Sequence, residues 1–129
     1  MNLVSPNNSQ AYLDLYMIFS QTQKEAIVSI IIEMINADHI VSLEELKISN
    51  LINNELEISD EIFKVGYALD VEFALSVIKE MSDEQKLQVA YILTRIIDAD
   101  DAVDDEFALF NNICEKTGID IVINRRIKD

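Results

Sequence analysis

The side chains best suited to chemistry in this sequence are carboxylates gathered in two short stretches. Asp98, Asp100, Asp101, Asp104, Asp105 and Glu106 crowd together with no Lys or Arg between them. A smaller acidic run holds Asp38, Glu44 and Glu45. Clustered carboxylates suit hard divalent cations such as Ca²⁺ or Mg²⁺. The candidate metal ligands are Asp38, Glu44, Asp100, Asp104 and Glu106, on two turns that could enclose one ion between them. Part of the pattern has a folding explanation. Ser42 and Asp104 read as N-caps, and Glu44, Glu45, Asp105 and Glu106 fall in first turns, where the helix dipole favours acids. Asp38, Asp98, Asp100 and Asp101 fall at or just past helix ends. There the dipole disfavours an acid by about 0.3–1 kcal/mol each. A bound cation or a basic protein partner would offset that cost, and both alternatives stay open.

The stretch is not an EF-hand, which needs acids at its first, third and fifth positions, Gly at the sixth and Glu at the twelfth. Counted from Asp98, the fifth, sixth and twelfth positions are Ala102, Val103 and Leu109. Counted from Asp100, the third, sixth and twelfth are Ala102, Asp105 and Asn111.

Other reactive constellations are missing. His39 is the single histidine and Cys114 the single cysteine, which excludes zinc sites built on Cys and His. Asn36 stands three residues before His39, so the Glu-x-x-His pair of a di-iron bundle is absent. No nucleophile-elbow or phosphate-loop glycine pattern occurs. Cys114 has a core-like spacing with Phe107, Phe110 and Ile113, which predicts a buried structural thiol. Glu57-x-x-Asp60 and Glu80-x-x-Asp83 have the spacing of an all-helical, Mg²⁺-dependent nucleotide pyrophosphohydrolase. Both straddle expected N-caps, Ser59 and Ser82, so that enzyme is the weaker alternative. No catalytic residue is expected.

The elements that position these carboxylates are helices. Caps and a spacing near 3.6 residues mark them. Asn8 or Ser9 caps a first helix with Tyr12, Leu15, Tyr16 and Phe19. Thr22 and Glu25 read as a capping box opening a helix to about Ala37. Ser42 and Glu45 read as a second box, with Leu43, Leu46 and Leu51 on one side of its helix. Ser59 caps a short helix with Ile62, Phe63 and Val65, and Asp70 caps another with Val71, Ala74, Val77, Ile78 and Met81. Ser82 and Gln85 form a third box. Asp104 caps a helix carrying Phe107 and Phe110, and Gly118 ends it as a C′ residue. Asp120 opens a last turn or short helix to Arg126. The helices at 23–37 and 83–98 are apolar almost all round, so they are expected at the centre.

Composition agrees. Two glycines and one proline in 129 residues are too few for a fold of many turns. Half of the residues are hydrophobic and the mean hydropathy is +0.13, which argues against disorder. The formal charge of −14 argues against nucleic acid and anionic membrane surfaces as partners. One cysteine and no leader-like or spanning apolar stretch suggest a cytoplasmic protein with no membrane insertion. Arg125, Arg126 and Lys128 form the one basic cluster, for which docking on the chain's own acids and binding a partner are both open. Oligomeric state is not readable.

Shifting the sequence by 62 positions lays the second acidic turn on the first. Ala37-Asp38-His39-Ile40-Val41-Ser42-Leu43-Glu44 falls on Ala99-Asp100-Asp101-Ala102-Val103-Asp104-Asp105-Glu106. Ile30/Ile92, Ile35/Ile97 and Asn50/Asn112 also match. At these residues the chain resembles the TerB-like family, helical domains associated with tellurite resistance and similar to the N-terminal part of a membrane-tethered DnaJ-type co-chaperone. That family carries two copies of Ala-Asp-Gly-x-[Ile/Val]-x-x-x-Glu. Here His39 and Asp101 replace the glycine, and both residue types tolerate a left-handed turn better than most. The resemblance spans about Thr22 to Ile119 and implies a helical bundle with an acidic cation site and a stress-associated role.

The expectation is therefore an all-α, single-domain bundle of about seven helices over residues 1–129. Its two pseudo-two-fold-related helix-turn-helix repeats lie near 22–56 and 82–118. The expected function is a non-enzymatic module that binds a divalent cation in a stress-response assembly. An acidic interaction module without metal, meeting a basic protein, is the alternative.

Overall fold

A computed structural model describes residues 19–37, 43–98 and 104–128; the side chains of Asp104, Asp105 and Lys128 lie outside that description. The expected helix around Tyr12 also falls outside it. Seven helices and no strand occur among the described residues: α1 (Gln21–Ile35), α2 (Leu43–Glu55), α3 (Asp60–Ala68), α4 (Val71–Lys79), α5 (Asp83–Asp98), α6 (Asp104–Thr117) and α7 (Ile119–Lys128). None is long and apolar enough to cross a membrane.

Local signals set most of the helix starts. The Ser59 hydroxyl accepts from the Ile62 N–H at 3.1 Å, and the Asp70 carboxylate accepts from the Phe73 N–H at 3.1 Å. Ser82 and Gln85 form the expected reciprocal box, at 3.2 and 3.0 Å. One start differs. The box of α1 is Ser20 with Gln23, not Thr22 with Glu25, and its two hydrogen bonds measure 2.8 and 3.2 Å. Both pairs fit the capping-box pattern. The Ser20 start puts Gln23 opposite Gln85, whose side-chain amide donates to the Gln23 carbonyl oxygen at 3.1 Å. The two boxes are related by the 62-residue shift and meet each other where α1 crosses α5. Asp104 is the first residue of α6 rather than its cap, a one-residue difference of the usual kind.

The packing is reciprocal. The central helices α1 and α5 touch, α2 packs on α5, and α6 packs on α1, so the second helix of each repeat rests on the first helix of the other. The third helices instead pack on the first helix of their own repeat, α3 on α1 and α7 on α5. The buried side chains of α1, α5 and their partners form one core. Helix α4 breaks the symmetry: it packs on α1 and α6, and no helix among the described residues of the second repeat corresponds to it. Ser29 of α1 is buried near the α3–α4 junction, where its hydroxyl donates to the Leu69 carbonyl at 3.4 Å. Its counterpart on α5 is Tyr91, which is 57% exposed and carries the Arg95 guanidinium 5.5 Å from its ring centroid. Helix α5 is thus open on the side where α1 is covered.

Two helices turn a different face inward from the expected one. Leu43, Leu46 and Leu51 of α2 are exposed, and the core receives Glu45, Ile52 and Leu56, with Ile48 partly buried. Ile48, Ile52 and Leu56 recur at four-residue steps, which hold one helical face better than the three- and five-residue steps of the leucines. On α3, Phe63 and Val65 are exposed, and the inward face is Ile62, Gly66 and Leu69. Phe107 of α6 is also exposed, whereas Ile113 and Cys114 are buried as expected.

The ends of α2 and α6 match as well. Gly118 has φ +81°, the left-handed conformation expected of it, and Glu57 has φ 54° at the corresponding place after α2. The Glu57 N–H donates to Asn54 and the Ile58 N–H to Asn53, at 3.2 and 2.9 Å, the pairing of a Schellman motif. A side chain in that conformation costs about 1–2 kcal/mol, part of which glycine returns as chain entropy. Glu57→Gly should therefore raise unfolding stability by about 0.5–1 kcal/mol in a urea titration. An unchanged midpoint would contradict it.

Candidate functional site

The two acidic turns leave the C-terminal ends of α1 and α5 and lead into α2 and α6. Asp38 and Asp100, with His39 and Asp101, lie outside the described residues, as does the Asp104 side chain. Asp98 ends α5 and is exposed. Glu44 is exposed in the first turn of α2, and Glu106 is 2% exposed in the first turn of α6. Glu45, beside Glu44, is 1% exposed.

The repeat explains why Glu45 is the buried one. The first helices are related by 62 residues (Ser20/Ser82, Gln23/Gln85), but the second helices are related by 61 (Leu43/Asp104, Ile52/Ile113, Glu57/Gly118). Counted between equivalent positions, the second connection is one residue shorter. The Asn50/Asn112 match is therefore one residue out of step with the packing. Glu45 and Glu106 are the equivalent pair, each at the third position of its helix. From that position a Glu can reach back toward the start of its own helix. Each helix also packs against the central helix of the other repeat. The sequence signal for Glu45 was its place three residues after Ser42, together with its spacing to Ile48 and Ile52.

Glu45 and Glu106 are the two buried carboxylates among the described residues. Burying a charged group is costly unless hydrogen bonds or an ion compensate it. No group of three or more His, Cys, Asp or Glu side chains is assembled for a metal among the described residues, which omit most of both turns.

A second polar contact ties α2 to α5. The Arg95 guanidinium donates to both carboxylate oxygens of Glu55, at 2.7 and 3.1 Å, with both side chains largely buried. Bidentate geometry of this kind adds direction as well as energy.

Arg125 and Arg126 of the basic cluster face the chain's own acids, and the Lys128 side chain lies outside the described residues. Arg126 of α7 pairs with Glu84, and Arg125 lies 3.7 Å from Asp83, both acids in the first turn of α5. These exposed pairs contribute little each.

Glu57, Asp60, Glu80 and Asp83 are exposed. Glu57 follows the end of α2 and Glu80 the end of α4, while Asp60 and Asp83 open α3 and α5, so neither pair lies on one helix. Cys114 is buried, and burial, with a smaller push from the Asp120 charge, raises its thiol pKa to about 11. Since the thiolate is the nucleophile, the folded chain should react with a disulfide reagent at about pH 8 at least about tenfold more slowly than the unfolded chain. Equal rates would contradict the burial of Cys114.

Fold and site define an all-α module of two interlocked helical repeats, with a buried carboxylate at the same place in each. The chain is similar to a crystal structure of a protein of unknown function from Porphyromonas gingivalis. The two are 26% identical, with a TM-score of 0.68, over 83% of this chain and 96% of that one. No family model and no curated protein matches the chain.

Proposed function

We propose that this chain is a non-enzymatic, TerB-like module that binds one divalent cation, Ca²⁺ or Mg²⁺, at its two acidic turns. The observation that carries this reading is the buried pair Glu45 and Glu106, at equivalent positions beside the two turns. In this reading Glu45 takes the role the sequence pattern suggested for Glu44, joined by Asp38, Asp100, Asp104 and Glu106. A cation would also offset the unfavourable placement of acids at the ends of α1 and α5. The cytoplasmic location and the place in a stress-response assembly rest on the family resemblance and composition.

Calorimetric titration of metal-stripped protein tests the proposal. Ca²⁺ or Mg²⁺ should release or absorb heat and raise the melting temperature. Saturation to about a hundred times Kd would add about 2.7 kcal/mol of stability. Glu45→Gln combined with Glu106→Gln should weaken binding by about tenfold or more, the effect of losing at least 1.4 kcal/mol. Absence of heat and of any thermal shift at millimolar ion would overturn the proposal.

The formal charge of −14 favours a second reading, an acidic interaction module meeting a basic protein. It predicts a complex that weakens with salt; a salt-insensitive complex would point to an apolar face instead.

A further inference from the structure

Helix α3 is covered on one side only. Ile62, Gly66 and Leu69 face α1, while Phe63, Val65 and Tyr67 are exposed, Tyr67 at 68%. The Phe63 and Tyr67 rings stand 6.2 Å apart at a tilt of 38°, with Lys64 beside them at a shallow depression. Apolar side chains gathered on one short helix need an occupant more than the same residues scattered singly.

The position of α3 says which occupant is at hand. A Cβ at Gly66 would lie against Val28 and the Glu25 carbonyl, so α3 rests on the first half of α1. Residues 1–18 join the fold at that end, through Phe19, which is buried. Helix α2 follows the other end of α1 in the chain. Composition fits too. Asp14 is the one side chain charged at neutral pH among residues 1–18 of a chain with 24 acids, and Lys64 on the exposed face carries the opposite charge. Tyr12, Leu15 and Tyr16 have the spacing of one helical stripe. Ten helical residues span about 15 Å, matching a nine-residue helix of about 13.5 Å. A second copy of the chain is the poorer occupant, because two chains of charge −14 repel each other.

We propose that residues 1–18 dock across the exposed face of α3, setting Tyr12, Leu15 and Tyr16 against Phe63, Val65 and Tyr67. Hydrogen exchange on the full chain tests it from both sides. In the variant Tyr12→Ser/Leu15→Ser/Tyr16→Ser, the α3 amides should exchange about tenfold faster or more, with α2 and α5 unchanged. In Phe63→Ser/Tyr67→Ser, the amides of residues 10–18 should accelerate in the same way. Unchanged exchange in α3 in the first variant, or in residues 10–18 in the second, would overturn the proposal. So would acceleration that depends on protein concentration and accompanies a halving of mass by light scattering, which would assign the face to a second copy. If the first variant loosens every helix, the second decides.

Discussion

Gly66→Ala should destabilise this protein by about 1–2 kcal/mol, although the substitution normally strengthens a helix. Alanine in a helix interior is favoured over glycine by about 1 kcal/mol. Here the added methyl would lie 2.6 Å from the Val28 Cβ and 2.7 Å from the Glu25 carbonyl oxygen. The obstacles are the first side-chain carbon and the backbone of α1, so no rotamer change relieves them. Helix α3 must move off α1, losing the contacts of Ile62 and Leu69. Overpacking of this kind costs about 1–3 kcal/mol or more. Trimming the neighbour should not help: Val28→Ala keeps the Cβ that clashes, so the double variant should be no more stable than Gly66→Ala. A urea titration checks both statements. A melting temperature at or above that of the parent would show that α3 does not approach α1 this closely.

Met34→Ala and Ile96→Ala should each cost about 2–5 kcal/mol, the range for emptying a closed core site. The two residues are related by the 62-residue shift, and each is fully buried on its central helix. Their equivalence makes a sharper claim than either value alone. If the two repeats share one core, each substitution should lower a single cooperative transition, by about 3–5 °C for every kcal/mol lost. Two separate transitions, with only one shifted by each variant, would contradict the shared core. The interlocked packing argues for one transition, since α2 completes the surroundings of α5 and α6 those of α1.

How much of this was readable in advance differs from element to element. The central helices were plain, because a helix apolar all round has nowhere to go but the middle. Ser59, Asp70 and the Ser82–Gln85 box were plain as well, because a cap acts within one turn and needs no distant partner. The start of α1 was not. Ser20–Gln23 and Thr22–Glu25 satisfy the same local pattern, and only the contact between Gln23 and Gln85 distinguishes them. The inward face of α2 was read from Leu43, Leu46 and Leu51, and the packing on α5 buries Ile52 and Leu56 instead. For the candidate site the sequence located the acidic turns and their repetition, and it included Glu106. It named Glu44, and that Glu45 is the buried counterpart of Glu106 depended on the one-residue change of register between the second helices.

The sequence by itself determined that this protein is helical, where most of its helices start, which two are central, and that its charge collects at two repeated turns. Those properties follow from neighbours a few residues apart, through caps, dipoles and the 3.6-residue repeat. The tertiary structure alone decided which face of α2 and α3 turns inward, which glutamate of each turn is buried, and that Gly66 must have no side chain. Those outcomes depend on the helix lying opposite, and a chain read in order does not show what lies opposite.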